Sequence, residues 1–327
     1  MAEKQLDMEI FESAIALAVR APSVHNTQPW RWRLAGGGID LHADRTRQLN
    51  VSDPTQRELL LSCGAALHHL RVALAVHGMA ADVTHLPDPA DPDHLAHIAV
   101  TPQQPTGADI DLAAAVLHRQ SDRRRYGSRP VHSRHLRQVA VGAAGFGAVA
   151  REVPPTLRAT LARTTRIAAD RHAANLDYLG ELSAWSGRTG ANDGVPARNS
   201  AYIPPSDEIR QRKFVQPMLT DPAPAPDASA WLVLCTPADD RRAQLRAGEA
   251  ASALLLTATE LGLSTCLQTE PIEMPDLRAA IRAEVLFDCA YPQTLVRLGW
   301  PSPAAAPLPL APRREPADVI DGYAAAC

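Results

Sequence analysis

The chain has 327 residues, 46% of them hydrophobic, and a formal net charge of −3. That length suits one large domain or two ordinary ones, and the near balance of charge argues against general binding of nucleic acid or other polyanions, so any anion site must be local. Five scattered cysteines without a C-x-x-C pair, no signal pattern at the N-terminus and no uncharged apolar run of membrane-spanning length together lead to the expectation of a cytoplasmic protein with reduced thiols and no membrane partner.

Asp7 can cap a helix over about 8–20, in which Ile10, Ala14, Leu17 and Phe11, Ile15, Ala18 recur at helical spacing. Pro22 ends that helix and opens the stretch Ala21-Pro22-Ser23-Val24-His25-Asn26-Thr27-Gln28-Pro29-Trp30. Pro29 forces Gln28 into extended backbone, and the residues between carry many donors and acceptors. Such a rigid, polar, non-helical segment suits holding a polar ligand; it equally suits a connection that satisfies its own backbone. Trp30–Leu34, a glycine turn and Ile39–Ala43 form a β-hairpin, with Trp30 and Trp32 on one core-facing side.

Asp53-Pro54 reads as an N-cap and first helical position, for a helix that runs to about His77 and stops at Gly78. His68, His69 and His77 lie on it without the carboxylate spacing a metal site requires. A strand is expected at 95–100. Two glycine-bounded segments then match, GAALHHLRVALAVHG at 64–78 and GEAASALLLTATELG at 248–262, each followed by a strand, at 81–83 and 265–267. They divide the chain into two similar halves, 1–105 and 106–327.

The second half opens with His118-Arg119-Gln120-Ser121-Asp122-Arg123-Arg124-Arg125-Tyr126, a local anion site by its forked donors, or else a solvated basic turn or nucleic-acid patch. Residues 159–226 have no counterpart in the first half. A helix over 168–185 is followed by a Gly/Pro-rich stretch at 187–205, a charged run at 206–213 and a Pro/Ala linker at 222–226. Strands follow at 230–235 and 294–299, separated by Gln268-Thr269-Glu270-Pro271-Ile272-Glu273-Met274-Pro275. Pro301–Pro312 is an extended arm leading to Arg313-Arg314. There is no G-x-S-x-G elbow, P-loop or dinucleotide fingerprint, and no carboxylate pair stands out as an acid/base couple.

The ten residues 21–30 resemble the P-S-x-x-N-x-Q-P-W segment of the nitroreductase-like flavoproteins, and in the form A-P-S-x-H-N-T-Q-P-W they look like its actinobacterial Acg branch. The stretch Arg119–Arg123 resembles the R-x-S-x-R motif that holds the FMN phosphate in that family. The resemblance implies an α+β nitroreductase-like fold, internally duplicated so that one chain mimics the usual homodimer, with the insertion at 159–226 as a lid. It implies one FMN per chain, gripped by Ser23, Asn26 and Gln28 from the first half and by Arg119, Ser121 and Arg123 from the second. Arg313 and Arg314 would complete the phosphate site, and the backbone N–H of Glu273 would meet flavin N5, with Met274 in place of the family's glycine. NADPH or NADH would supply the electrons and a nitroaromatic or quinone would accept them, without an obligatory catalytic side chain. A lid that blocked both would instead make the protein an FMN store. The assembly expected is a monomer (a pseudo-dimer) or a weak homodimer, with no nucleic-acid partner.

Overall fold

The computed structural model describes residues 8–35, 37–188, 190–204, 207–221 and 227–322. Asp7, Ser206, the linker at 222–226 and Cys327 lie outside the described residues.

In the first half, α1 (Met8–Ala18) leads through a 3-10 turn (Val24–Asn26) into the hairpin β1 (Trp30–Ala35) and β2 (Gly38–Ala43). Then come α2 (Arg57–Val76), β3 (Met79–His85) and β4 (His94–Pro102). The second half has α3 (Gly107–His118), α4 (Ser133–Ala144), β5 (Val149–Glu152), α5 (Arg158–Ala174), α6 (Leu176–Ala184) and β6 (Ala230–Thr236). It continues with α7 (Arg241–Glu260), β7 (Ser264–Gln268), the short α8 (Glu270–Glu273), α9 (Pro275–Glu284), β8 (Tyr291–Gly299) and the short α10 (Pro316–Val319). Two antiparallel four-stranded sheets result, ordered β1-β2-β4-β3 and β5-β6-β8-β7. The two orders are the same pattern, and the long helices α2 and α7 occupy the same place in each, between the second and third strands. This is the α+β architecture expected.

The helices α2 and α7 pack along each other at the centre. Gly64 and Gly248, the matched first glycines of the two segments, meet at the crossing: a methyl group on Gly64 would lie 1.9 Å from the Leu245 carbonyl oxygen and 2.9 Å from Gly248 Cα. Small residues here are what let the two backbones touch. By length and composition α2 could span a bilayer, but most of it is buried inside the fold. Sheet one packs with Trp30, Trp32, Ile39 and Leu41 against α1 and α2. Sheet two is covered on both sides, because Leu232 faces α4 and α7 while Trp231, Val233 and Cys235 face α5 and α9. That two-sided burial explains why β6 reads as an unbroken apolar run.

Several boundaries differ from those the sequence implies. Gln56 has φ 64°, so helical backbone begins only at Arg57; the Asp53 carboxylate still caps it, accepting the Leu59 N–H at 2.8 Å. The helix expected over 168–185 is broken at Asn175, whose side chain leaves helical geometry to cap α6 through the Asp177 and Tyr178 N–H groups. The tail of the second half returns to the first, where Ile320 bridges to Trp32 beside β1.

Candidate functional site

Between the halves lies a cleft with two adjoining compartments, sharing the walls Ser23, Ser121 and Arg123. The smaller compartment is cationic. Arg119 and Arg123 flank a strand-like stretch where Ser121 bridges to Thr265 of β7, Arg313 arrives on the arm, and Arg20, just past α1, meets them through its carbonyl, which accepts from Arg119 and Arg313. Among the described residues none of these four arginines pairs with a carboxylate. They hold only neutral oxygens: Arg313 donates to Asn26 Oδ1 at 2.9 Å and to the Arg20 carbonyl at 3.1 Å, and Arg123 to the Asn199 carbonyl at 3.2 Å. The Nε atoms of Arg20, Arg119 and Arg313 are buried without a partner. Burial, then Arg20 and Arg123, pushes Arg119 down to about 10, and burial, then Arg119 and Arg20, pushes Arg313 down to about 9. Cations crowded this way, with unused donors, are built for an anion that supplies the missing charge. The neighbouring arginines of the same run do the opposite work. Arg124 is locked to Asp122 at 2.9 Å and Arg125 to Asp207 at 2.6 Å, which is why they stand outside the anion site.

The larger compartment is lined from the first half by Ser23, His25, Glu58 and Ser62, and from the second by Arg212, Phe214, Leu267 and Thr269. The polar stretch before Trp30 reaches it through unusual backbone: His25, Asn26 and Gln28 have φ of 46°, 56° and 51°. Three non-glycine residues in the left-handed region within four positions is the kind of strain that functional sites retain. Gln28 is therefore left-handed rather than extended. The ring nitrogens of His25 are both buried without a partner, and burial, then Arg212 and Arg123, holds its pKa well below the ordinary value. Phe214 stands edge-on to His25 and beneath Arg123, and Gly194, Val195, Pro196 and Asn199 line the smaller compartment.

The expected ligand-holding residues separate into distinct roles. Ser23, Arg119, Ser121, Arg123 and Arg313 line the cleft. Asn26 lines it too, but its amide is engaged by protein, donating to the carbonyls of Gly194 and Pro312 at 3.0 Å each and accepting from Arg313. Gln28 sits behind it, donating to the Asn192 carbonyl at 2.9 Å and accepting the Arg314 N–H at 2.8 Å. These two amides tie the arm and the covering segment to the first half. Arg314 turns away from the anion site, towards Asp44 and the Gln28 carbonyl. The Glu273 N–H does not face the cleft either: it donates to the Thr269 carbonyl at 3.0 Å, because 269–273 closes into a helical turn. Met274 then takes extended backbone where the family's glycine would permit a left-handed turn.

Arg20, Glu58 and Arg212 were not singled out from the sequence, and His25 was named only as one of the polar residues of the 21–30 stretch. Arg20 follows an ordinary amphipathic helix, and Arg212 belongs to a charged run, so only tertiary structure reveals their position. A buried carboxyl cluster also escaped notice. Glu58, Asp53 and Glu270 are each 4% exposed or less and the Glu273 side chain is 2% exposed, with Arg212 paired to Glu273 and His172 bonded to Glu270 at 3.1 Å. Burial, then Glu273 and Asp53, keeps the Glu58 pKa well above the carboxylate range; burial raises Asp53 to about 7. Of the histidines at 68, 69 and 77, His68 bonds Ser252 at 2.8 Å and His77, just past α2, bonds Ser13 at 2.9 Å, while the ring nitrogens of His69 are buried in the helix packing without a partner.

No family model matches the chain. Among solved structures it is similar to the FMN-dependent nitroreductase NfnB from Mycobacterium smegmatis in complex with NADPH, at 16% identity and TM-score 0.40, covering 63% of this chain and 95% of that one. It is also similar to a nitroreductase with bound FMN from Bacteroides fragilis, at 14% identity and TM-score 0.39, covering 60% and 90%. Sequence relatives are much nearer. The Mycobacterium tuberculosis protein named "Putative NAD(P)H nitroreductase Rv3131" is 47% identical over 321 residues, 96% of this chain and 92% of the relative. The M. tuberculosis protein named "Putative NAD(P)H nitroreductase acg" is 35% identical over 322 residues, 96% of each. On these likenesses, spanning nearly its whole length, the chain belongs to the Acg-like family of nitroreductases.

Proposed function

We propose that the protein is an FMN-dependent NAD(P)H oxidoreductase that reduces nitroaromatic or quinone-type acceptors. The observation that carries this reading is the group of three carboxylate-free arginines, Arg119, Arg123 and Arg313, lining one end of a cleft whose larger compartment continues past the strained polar stretch. The donor set fits the cofactor: Arg119, Ser121, Arg123 and Arg313 would hold the phosphate, with Arg20 adding charge, and Ser23, His25 and Thr269 would line the place of the ring. When bound, FMN supplies the two-electron redox chemistry. The chain's own part is to hold the phosphate, to keep water out with Phe214 and Leu267, and to set the polarity around the ring with His25 and Arg212.

The same reading makes the chain a fused pseudo-dimer with one site. The polar stretch belongs to the first half alone and the arginine run to the second alone, and α2 and α7 take the places of two subunits' central helices. Division at about 105/106, a covering lid from 159–226, and function as a monomer or weak homodimer follow from it. Purified protein should be yellow, and anaerobic mixing with NADPH should bleach the flavin band. A preparation that binds no FMN refutes the reading; one that stays yellow under NADPH favours flavin storage.

A further inference from the structure

We propose that Glu58 is the proton donor to the reduced acceptor, resupplied from solvent through Glu273 and His172. The inference rests on the oxidoreductase reading and adds a catalytic side chain to it. Glu58 stands in the first turn of α2 and lines the larger compartment while only 3% exposed. Its carboxyl makes no hydrogen bond among the described residues. Across the same compartment the His25 ring, 4% exposed, has both nitrogens without partners. Two buried, unpartnered polar groups lining one compartment call for a ligand that both gives and takes hydrogen bonds, as a quinone carbonyl or nitro oxygen becoming a hydroxyl does.

Behind Glu58 the polar chain continues outwards. Asp53 and Glu273 bear on it with like charge, Arg57 and Arg212 with opposite charge. Glu273 accepts from Thr269 Oγ1 at 2.6 Å and from Arg212, which leaves Oε2 without a bonded partner, 3.8 Å from His172 Nε2. Glu273 and His172 also line a second groove on the outside, with Ser52, Pro54 and Tyr178. One carboxylate thus separates the cleft residue from a solvent-open groove, and a histidine stands beside it. Arg123 and Arg212 face the cleft side, so a negative charge left on Glu58 after transfer has cations near it.

The balance for a quinone is simple. Hydride from NAD(P)H gives NAD(P)+ and the hydroquinone anion. The Glu58 O–H bond breaks as the hydroquinone O–H bond forms, and the Glu58 carboxylate regains a proton passed inwards from water by His172 and Glu273.

The test is Glu58→Gln in the flavin-loaded protein, with the two half-reactions measured separately by stopped flow. The variant should still take up FMN and still be bleached by NADPH, so the donor role is read from reoxidation relative to bleaching in the same preparation. Reoxidation by a quinone should slow by about 10²–10⁴-fold, the ordinary worth of a general acid. In the wild type that step should fall as pH rises, and in the variant it should be flat. Glu58→Asp, which keeps the carboxyl, should retain the pH dependence at a reduced rate. In the FMN-free protein, the infrared difference spectrum between wild type and Glu58→Gln at neutral pH should show the loss of one protonated-carboxyl component, with the Asp53 component left in both. Unchanged reoxidation and pH profile in Glu58→Gln, or a difference spectrum without that loss, overturns the donor role alone. Wild-type flavin left oxidised by NADPH overturns the oxidoreductase reading, and the donor role with it.

Discussion

Arg119→Met isolates the central claim about the anion site, because it should help the empty protein and harm the loaded one. Arg119 is 3% exposed and its pKa is pushed down to about 10 by burial and by Arg20 and Arg123. The folded, unliganded state therefore disfavours the charged form, and at neutral pH a cost of about 3 kcal/mol is present. That cost is full below about pH 10 and fades as pH rises from there towards the ordinary arginine range, since only above the folded-state value does the buried group lose its proton. Methionine keeps the stem and removes the charge, at the loss of one weak bond to the Arg20 carbonyl at 3.4 Å. FMN-free Arg119→Met should thus be more stable than the wild type by about 1–3 kcal/mol in urea denaturation at pH 7. A charge-assisted bond to phosphate is worth about 1.5–3 kcal/mol, so FMN should bind roughly 10–150-fold more weakly. Fluorescence titration with FMN and with riboflavin separates phosphate from ring: riboflavin affinity should stay within about twofold of wild type. Equal weakening of both ligands, or a destabilised apo protein, would refute the assignment.

The paired arginines at the end of the arm should behave differently. Arg313→Gln is expected to weaken FMN binding at least about tenfold, whereas Arg314→Gln, which faces Asp44 and the Gln28 carbonyl, should leave it nearly unchanged; comparable losses from both would show that the arm turns over in the loaded protein. Gly64→Ala would ordinarily favour a helix by about 1 kcal/mol, yet its methyl group would meet backbone of α7, so a net loss of about 2 kcal/mol or more is expected by calorimetry, with looser flavin. Asp53 holds its proton in the folded state up to about pH 7, so wild-type stability should decline as pH rises from about 4 to 7; Asp53→Asn should flatten that slope, and an unchanged slope would remove Asp53 as its source.

The amino-acid sequence by itself determined the local pieces of this protein. Proline and glycine placement marked where α1 and α2 end, alternation marked the hairpin, and the matched glycines at 64 and 248 identified the two helices that cross at the centre. The polar stretch and the arginine run were legible because their composition is hard to reconcile with ordinary helix or strand. Only the tertiary structure decided which donors remain free. Arg119, Arg123, Arg124 and Arg125 look alike in the chain, and what separates them is the position of Asp122 and Asp207, which takes two of them out of the anion site. Asn26 and Gln28 look like ligand contacts and prove to be tethers, since their amides meet carbonyls more than a hundred residues away. Glu58 is unremarkable in sequence because a carboxylate's pKa depends on burial and neighbours that no spacing rule encodes. Local steric and hydrogen-bonding preferences act over a few residues and can be read from them; charge, desolvation and satisfaction of polar atoms are set by whatever folding brings alongside.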